Sequence, residues 1–317
     1  MFQVLLPCHD PHVLISVQAL QRALEQQSVR TAISPLRNRL WRGLAKVAGW
    51  LRLRRFPILR QREAIFFHLN HPWLNALYPY CLTKSCVTYS FDCWPRQYAN
   101  WAEFFTKNRV RIAFLSARQS VAALTLRCDS TEFRWLPEAV DPSGYVSEVP
   151  LAKRPIDVLE LGRRFEAYHY QIRLGPEKGF THVFPERNRG LVFKSNDAVK
   201  AAFGQARICI CFPQSMTHPE RAGNVETATL RYFEAMAARC LLLGHCPKEL
   251  EDLFGYSPVI EANLDDARAQ LLNEILPRIS DYQGFVARNY CRLLEIGTVE
   301  RRALEIASAL RAVEGIS

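Results

Sequence analysis

Short apolar runs alternate with amphipathic stretches over most of this chain, and few folds accommodate that alternation. Residues 2–7, 64–70, 87–91 and 111–116 are apolar and strand-sized, while 12–27, 97–107 and 117–127 have the composition and spacing of helices. Strands separated by helices pair in parallel, so the pattern predicts a doubly wound α/β sheet. The same order returns after residue 155. Strands are expected at 156–161, 190–193, 208–212, 240–243 and 258–261, and helices near 166–174 and at 195–205, 226–239 and 247–254. Two further helices, 264–276 and 282–312, end the pattern. Residues 141–155 carry three prolines, one glycine and little periodicity, which reads as a linker. The expected plan is a first domain over 1–140, a linker over 141–155, a second domain over 156–297 and a terminal helix over 298–317.

A length of 317 residues fits two domains of ordinary size. A hydrophobic share of 49% and a charged share of 23% are those of a soluble globular protein. No run of about 18 uncharged apolar residues occurs, so no membrane-spanning helix is expected. The first residues lack a basic segment and read as a strand rather than a signal peptide. Ten cysteines lie scattered in apolar runs without a C-x2-C pair, which favours buried free thiols in a reducing cytoplasm over zinc or a disulfide framework.

The net charge of +10 is uneven. Residues 1–140 hold 19 basic and 8 acidic side chains, a difference of +11, and the remainder holds 22 and 23, a difference of −1. Residues 36–62 alone contain nine arginines and lysines and no acid. Leu36, Leu40, Leu44, Val47 and Leu51 would share one helical face there, flanked by Trp41 and Trp50. Such a segment suits an anionic membrane surface; equally, its apolar stripe could pack on the first domain and leave the arginines in water. No nucleic-acid-binding signature accompanies the charge, and nucleic acid is not an expected partner.

Glu226 and Glu234 stand with seven residues between them, ahead of the helix-favouring run Ala235-Met-Ala-Ala238. They follow the apolar run 208–212 and precede the run 240–244, which places the pair at a strand-to-helix junction. Alone, two such glutamates are ordinary solvated helix residues. Here they occur in series with Trp135-Leu-Pro-Glu-Ala-Val-Asp141, Ile156-Asp-Val-Leu-Glu-Leu-Gly-Arg-Arg164 and Cys246-Pro-Lys-Glu-Leu-Glu-Asp-Leu-Phe-Gly255. The series covers roughly 130–300 and resembles the E-x7-E retaining nucleotide-sugar glycosyltransferases of the GT-B fold (group 1, family 4-like). That resemblance implies two Rossmann-like domains facing a cleft, with the C-terminal helix crossing back to the first.

The resemblance also implies roles. Glu226 would meet the transferred sugar and Glu234 the ribose. Asn224, Val225, Thr227, Ala228 and Thr229 would lie beside the diphosphate or sugar, where the backbone amides of a helix start favour anions. Gly162 with Arg163 and Arg164, the latter preferred, would neutralise the leaving diphosphate. No lysine stands five residues beyond the arginine pair, and Arg221 is the candidate substitute cation. Arg231, inside the motif, would either brace a glutamate or be solvated. In the first domain, Asp92 and His71 are the candidates for supporting the reaction, with Trp94, His9 and Asp10 on the acceptor side. Asp92 would serve equally well as a helix N-cap.

The expected activity is transfer of a sugar from a nucleoside-diphosphate-sugar to the hydroxyl of a saccharide, lipid-linked or small-molecule acceptor, with retention. No cofactor or metal is expected, and the site would be cytoplasmic, with peripheral contact at the inner membrane face through 36–62. The glycine-rich loop usual after the first strand is missing, which keeps two other classes open: a non-catalytic GT-B relative that binds the donor, and a hydrolase or epimerase on the same fold.

Overall fold

The computed structural model describes residues 2–6, 15–33, 43, 47, 64–73, 76, 77, 81, 84–145, 148–173, 179–186, 193 and 195–315. They form two compact units: Met1–Pro137 with Val299–Ser317, and Glu138–Thr298.

The first unit is built on six parallel strands in the order β2-β1-β3-β4-β5-β6. They are β1 (Phe2–Leu6), β2 (Val29–Ile33), β3 (Ala64–Leu69), β4 (Ser85–Ser90), β5 (Val110–Leu115) and β6 (Glu132–Trp135). Every residue of β4 is buried, as a central strand covered on both faces requires. Helix α1 (Ile15–Gln26) joins β1 to β2, and α2 (Tyr98–Lys107) and α3 (Arg118–Thr125) follow β4 and β5. Trp101, Phe104 and Phe105 of α2 are wholly buried, each aromatic contributing roughly 1.5–3 kcal/mol by leaving water. Strands β2 and β6 were not expected from the sequence: Val29-Arg-Thr-Ala-Ile33 lacks a clear alternation, and Glu132-Phe-Arg-Trp135 alternates over only four residues.

The second unit has five parallel strands in the order β11-β10-β9-β7-β8. These are β7 (Ile156–Leu159), β8 (His182–Val183), β9 (Ala206–Cys211), β10 (Leu241–Gly244) and β11 (Ile260–Glu261). Their side chains divide with period two into separate cores. Leu159, Cys209, Cys211 and Leu242 enter one, and Val158, Ile208, Ile210, Leu241 and Leu243 enter the other. Helices α4 (Glu166–Arg173), α5 (Asn196–Gln205), α6 (Gln214–Thr217), α7 (Pro219–Ala222), α8 (Leu230–Ala237), α9 (Lys248–Phe254) and α10 (Gln283–Ile296) connect and cover them. The stretch 267–282 is not one helix: a short α-turn, a π-turn over 270–275 and a 3₁₀ stretch over 276–282 follow each other, with Pro277 at the start of the last. The expected strand at 190–193 lies outside the described residues apart from Phe193.

The expected helix at 282–312 breaks at Gly297. A Cβ there would meet a Leu293 methyl at 2.6 Å and a Phe233 ring carbon at 3.1 Å. The chain then resumes as α11 (Val299–Gly315), which belongs to the first unit and packs on α1 and β3. Arg302 of α11 donates to the Pro137 carbonyl at 2.9 Å. Residues 141–155 are no solvated tether. Tyr145, Leu151 and Arg154 are buried, and Arg154 donates to the Ala206 carbonyl at 2.8 Å and to Val149 O at 3.0 Å. The nine cysteines among the described residues are free.

Candidate functional site

In an open parallel sheet, the loops at the carboxyl ends of the strands diverge where strand order reverses, and that gap receives ligands. In the second unit the reversal falls between β7 and β9. Three segments converge there. The turn after β7 carries Gly162 and Arg163, the turn after β9 leads into Gln214, and β10 ends at Gly244-His245. Arg163 Nη1 donates to Gln214 Oε1 at 2.6 Å and so bridges the two turns. Gly162 has φ +73, and a Cβ there would stand 3.2 Å from Arg231 Nη2. A side chain at 162 would be strained and would crowd this guanidinium.

Glu234 is the anchor of the group. Its side chain is 10% exposed. Tyr145 Oη donates to Oε1 at 2.9 Å, and Arg231 Nη1 donates to Oε2 at 3.0 Å. Burial, followed by the charge and hydrogen bond of Glu234, pushes the Tyr145 phenol far above its ordinary range, so it stays a neutral donor. Arg231 thus braces Glu234 while its other amino group reaches Gly162. Its guanidinium also lies over the Phe203 ring, 5.3 Å from the centroid. Each carboxylate oxygen keeps a second lone pair for a ligand hydroxyl.

Glu226 is not helical. The expected helix over 226–239 starts only at Leu230, with Thr229 as N-cap in extended backbone. Residues 225–229 run as irregular chain because two other acids hold them. Thr227 Oγ1 donates to Glu249 Oε1 at 2.8 Å and the Ala228 amide donates to the same oxygen at 2.9 Å. The Leu230 amide donates to Glu138 Oε2 at 3.1 Å. Glu249 therefore occupies the Ala228 amide, one of those that the sequence assigned to a ligand, and Val225, Thr227 and Ala228 are buried. Asn224 is exposed, while Thr229 and Arg221 are half-buried.

The Glu226 carboxylate, half-exposed, lies 3.4 Å from His245 Nε2, and the Nδ1 of that ring lies 3.0 Å from Glu261 Oε1. Gly244 makes this possible. A Cβ on it would come within 1.9 Å of the Cys211 carbonyl oxygen, so only glycine lets β10 close on β9 and place His245 beside Glu226. His245 carries no motif of its own; its position is visible only once β10 and β11 are paired.

The two arginines after Gly162 differ from the expectation that favoured Arg164. The Arg164 side chain is 11% exposed. Its Nη1 lies 3.0 Å from the Pro185 carbonyl and 3.3 Å from His169 Nε2, and its Nη2 3.6 Å from Glu166 Oε1. It ties the turn to α4 and to the segment after β8. Arg163 is the exposed one.

In the first unit the reversal falls between β1 and β3. His71 and Trp73 lie just past β3, exposed and stacked at 6.4 Å, with Trp73 50% exposed. Trp94 is only 4% exposed and its indole nitrogen has no partner among the described residues, so it offers no ring face for stacking. Asp92 is half-buried with φ +28; the caps of the following 3₁₀ turn and of α2 fall on Trp94 and Gln97, so Asp92 is no N-cap. His9 and Asp10 lie outside the described residues, as does 36–62 apart from Gly43 and Val47.

Solved structures share this architecture over the whole chain. Sucrose-phosphate synthase from Thermosynechococcus elongatus superposes with a TM-score of 0.64 at 12% identity, covering 99% of each chain. Anabaena HepE, solved in complex with UDP, gives 0.61 at 9% identity, covering 98% of this chain and 100% of its own. The fold is GT-B. AviGT4, a glycosyltransferase involved in avilamycin A biosynthesis, shares the GT-B arrangement with a TM-score of 0.59 at 11% identity, covering 100% of this chain and 99% of its own. No protein-family model matches the sequence, and no curated protein matches it. Arg163, Arg231 and Glu234 stand at the reversal between β7 and β9, and Glu226 meets His245 at the end of the neighbouring β10. Tyr145, Glu138, Glu249, His245 and Trp73 are additions that the sequence did not single out. Only Tyr145 could have been suspected, as an aromatic in a segment otherwise rich in proline.

Among the described residues, no helix is long and apolar enough to cross a membrane.

Proposed function

We propose that this protein is a glycosyltransferase that moves a sugar from a nucleoside-diphosphate-sugar to an acceptor hydroxyl with retention of configuration. One observation carries the reading: an anchored carboxylate and two arginines stand at the reversal of the second sheet, and a half-exposed carboxylate stands at the end of the adjoining β10. Glu234, held by Tyr145 and Arg231, would accept from the ribose hydroxyls. Glu226, oriented by His245, would accept from hydroxyls of the transferred sugar. Arg163 and Arg231 supply the positive charge that a departing diphosphate requires, without calling on a metal. Glu226 acts by positioning. The paired carboxylates of retaining glycosidases, about 5 Å apart, are a different arrangement, since here each acid has its own partners. The acceptor, a saccharide, a lipid-linked sugar or a small molecule, would meet the first unit, where exposed Trp73 and His71 offer a stacking surface and Asp92 a carboxylate.

The test is incubation with a panel of nucleotide sugars, with and without acceptors. Sugar transfer that requires an acceptor is expected, and Glu226→Ala should remove at least about 10²-fold of the turnover, as loss of a group that stabilises the transition state does, while the variant melts at the same temperature. Release of free sugar without transfer would make the protein a hydrolase. Donor binding without consumption would make it a non-catalytic relative. Near-normal turnover by Glu226→Ala would remove Glu226 from the site.

A further inference from the structure

A second polar cluster lies beneath the turn after β7, apart from the groups assigned above. Glu160 directly follows β7, His169 is on α4 and His182 is on β8. Glu160 is 2% exposed and the His182 side chain is fully buried. One donor atom from each residue lies within 4.8 Å of the others. Glu160 Oε2 is 2.5 Å from His169 Nδ1 and 3.3 Å from His182 Nε2. Among the described residues, Glu160 Oε1 and both ring nitrogens of His182 have no hydrogen-bond partner. The Phe184 ring closes the cluster, 4.8 Å from the His169 ring and 4.6 Å from that of His182.

An imidazole without a hydrogen bond, buried against aromatic rings, costs about 1–3 kcal/mol, and an unpaired carboxylate oxygen adds to that. One donor atom from each member of this convergent histidine–histidine–carboxylate set can be engaged by a single shared ion, His182 Nε2 and a Glu160 oxygen among them. We propose that Glu160, His169 and His182 form a binding site for a divalent transition ion of the zinc class. Two imidazoles and one carboxylate are a ligand set for such an ion, and neither magnesium nor calcium favours imidazole.

Binding balances as follows. The ion takes the lone pairs of His169 Nδ1, His182 Nε2 and a Glu160 oxygen. The His169 proton moves from Nδ1 to Nε2. Arg164 then gives up its contact with Nε2 and keeps the Pro185 carbonyl at 3.0 Å. The fourth position is left for water. The ion would join β7, α4 and β8, and β8 is only two residues long, so the site pins a short edge strand. Its role is structural and separate from sugar transfer. The ligands are 9 and 13 residues apart in three elements, so no compact motif announces them.

Elemental analysis of the full chain, purified without chelators and dialysed, tests the assignment. One equivalent of zinc per chain is expected, falling to none in Glu160→Gln and in His182→Ala. Should those variants fail to fold, cobalt(II) added to the chelator-stripped wild-type protein provides the reading, with visible d–d absorption saturating at one equivalent. A wild-type protein with no stoichiometric ion and no cobalt spectrum would overturn the proposal, leaving a proton as the only occupant between the carboxylate and the histidines. Full zinc in both folded variants would overturn it as well.

Discussion

At the residue scale, burial decides which side chains keep their usual chemistry. Glu234, inside α8, is met by a phenol and a guanidinium, one on each oxygen. His68 has no such help. It is buried between Tyr89 and Phe91, its ring 5.9 Å and 4.4 Å from theirs, and its Nε2 has no partner among the described residues. Burial lowers its pKa from 6.5 to about 3. Between those values the unfolded chain binds a proton that the folded chain does not. Stability from this residue is therefore complete above pH 6.5 and is lost as pH falls toward 3, with a slope of about 1.4 kcal/mol per pH unit. Urea titrations of wild type and His68→Leu from pH 7 to pH 4 check this. The variant should show a shallower decline; equal slopes would mean that His68 does not titrate in this way. The same residue shows what a sequence hides: His68 and His71 read alike at a strand end, yet one is buried and the other exposed.

At the element scale, the segment ahead of α8 shows how a helix start is set by distant residues. Glu226-Thr-Ala-Thr has no composition that forbids helix, and the run after it favours helix, so 226–239 reads as one element. Glu249, in the first turn of α9, captures the Thr227 hydroxyl and the Ala228 amide and holds them out of the helix. Hydrogen bonds to a buried charge contribute about 1.5–3 kcal/mol each. Glu249→Ala should therefore destabilise the protein by about 3 kcal/mol or more in chemical denaturation. It should also raise the KM for the donor, because Glu226 loses its fixed approach to His245. Glu249→Gln keeps one acceptor oxygen and should lose less. An alanine variant as stable as wild type would show that the segment is held by other contacts. Strand existence was legible because apolar runs of four to six residues leave little choice. The start of α8 and the edge strands β2, β6 and β8 were not, because each depends on partners far along the chain.

At the scale of the whole molecule, the two parallel sheets follow from alternation alone, whereas the chain returns to the first unit just after Gly297, a position where a Cβ would collide with Leu293 and Phe233. The charge pattern was also legible from the sequence, and its consequence can be tested. The difference of +11 over residues 1–140 against −1 over the rest concentrates the positive charge in the half that supplies the first sheet. A field of that sign draws one end of a molecule toward an anionic surface within about a Debye length, some 8–10 Å at physiological salt. Each of the nine basic residues of 36–62 adds about 1 kcal/mol near such a surface, and the interspersed leucines and tryptophans add apolar contact. Wild-type protein should co-sediment with phosphatidylserine-containing liposomes at low salt and be released at high salt. Replacing the arginines of 36–62 by glutamine should abolish co-sedimentation while leaving donor binding by the second unit intact. If the glutamine variant sediments as well as wild type, the segment is not what meets the membrane. If neither protein sediments, the charge serves something other than a bilayer, and the apolar stripe of 36–62 is packing surface.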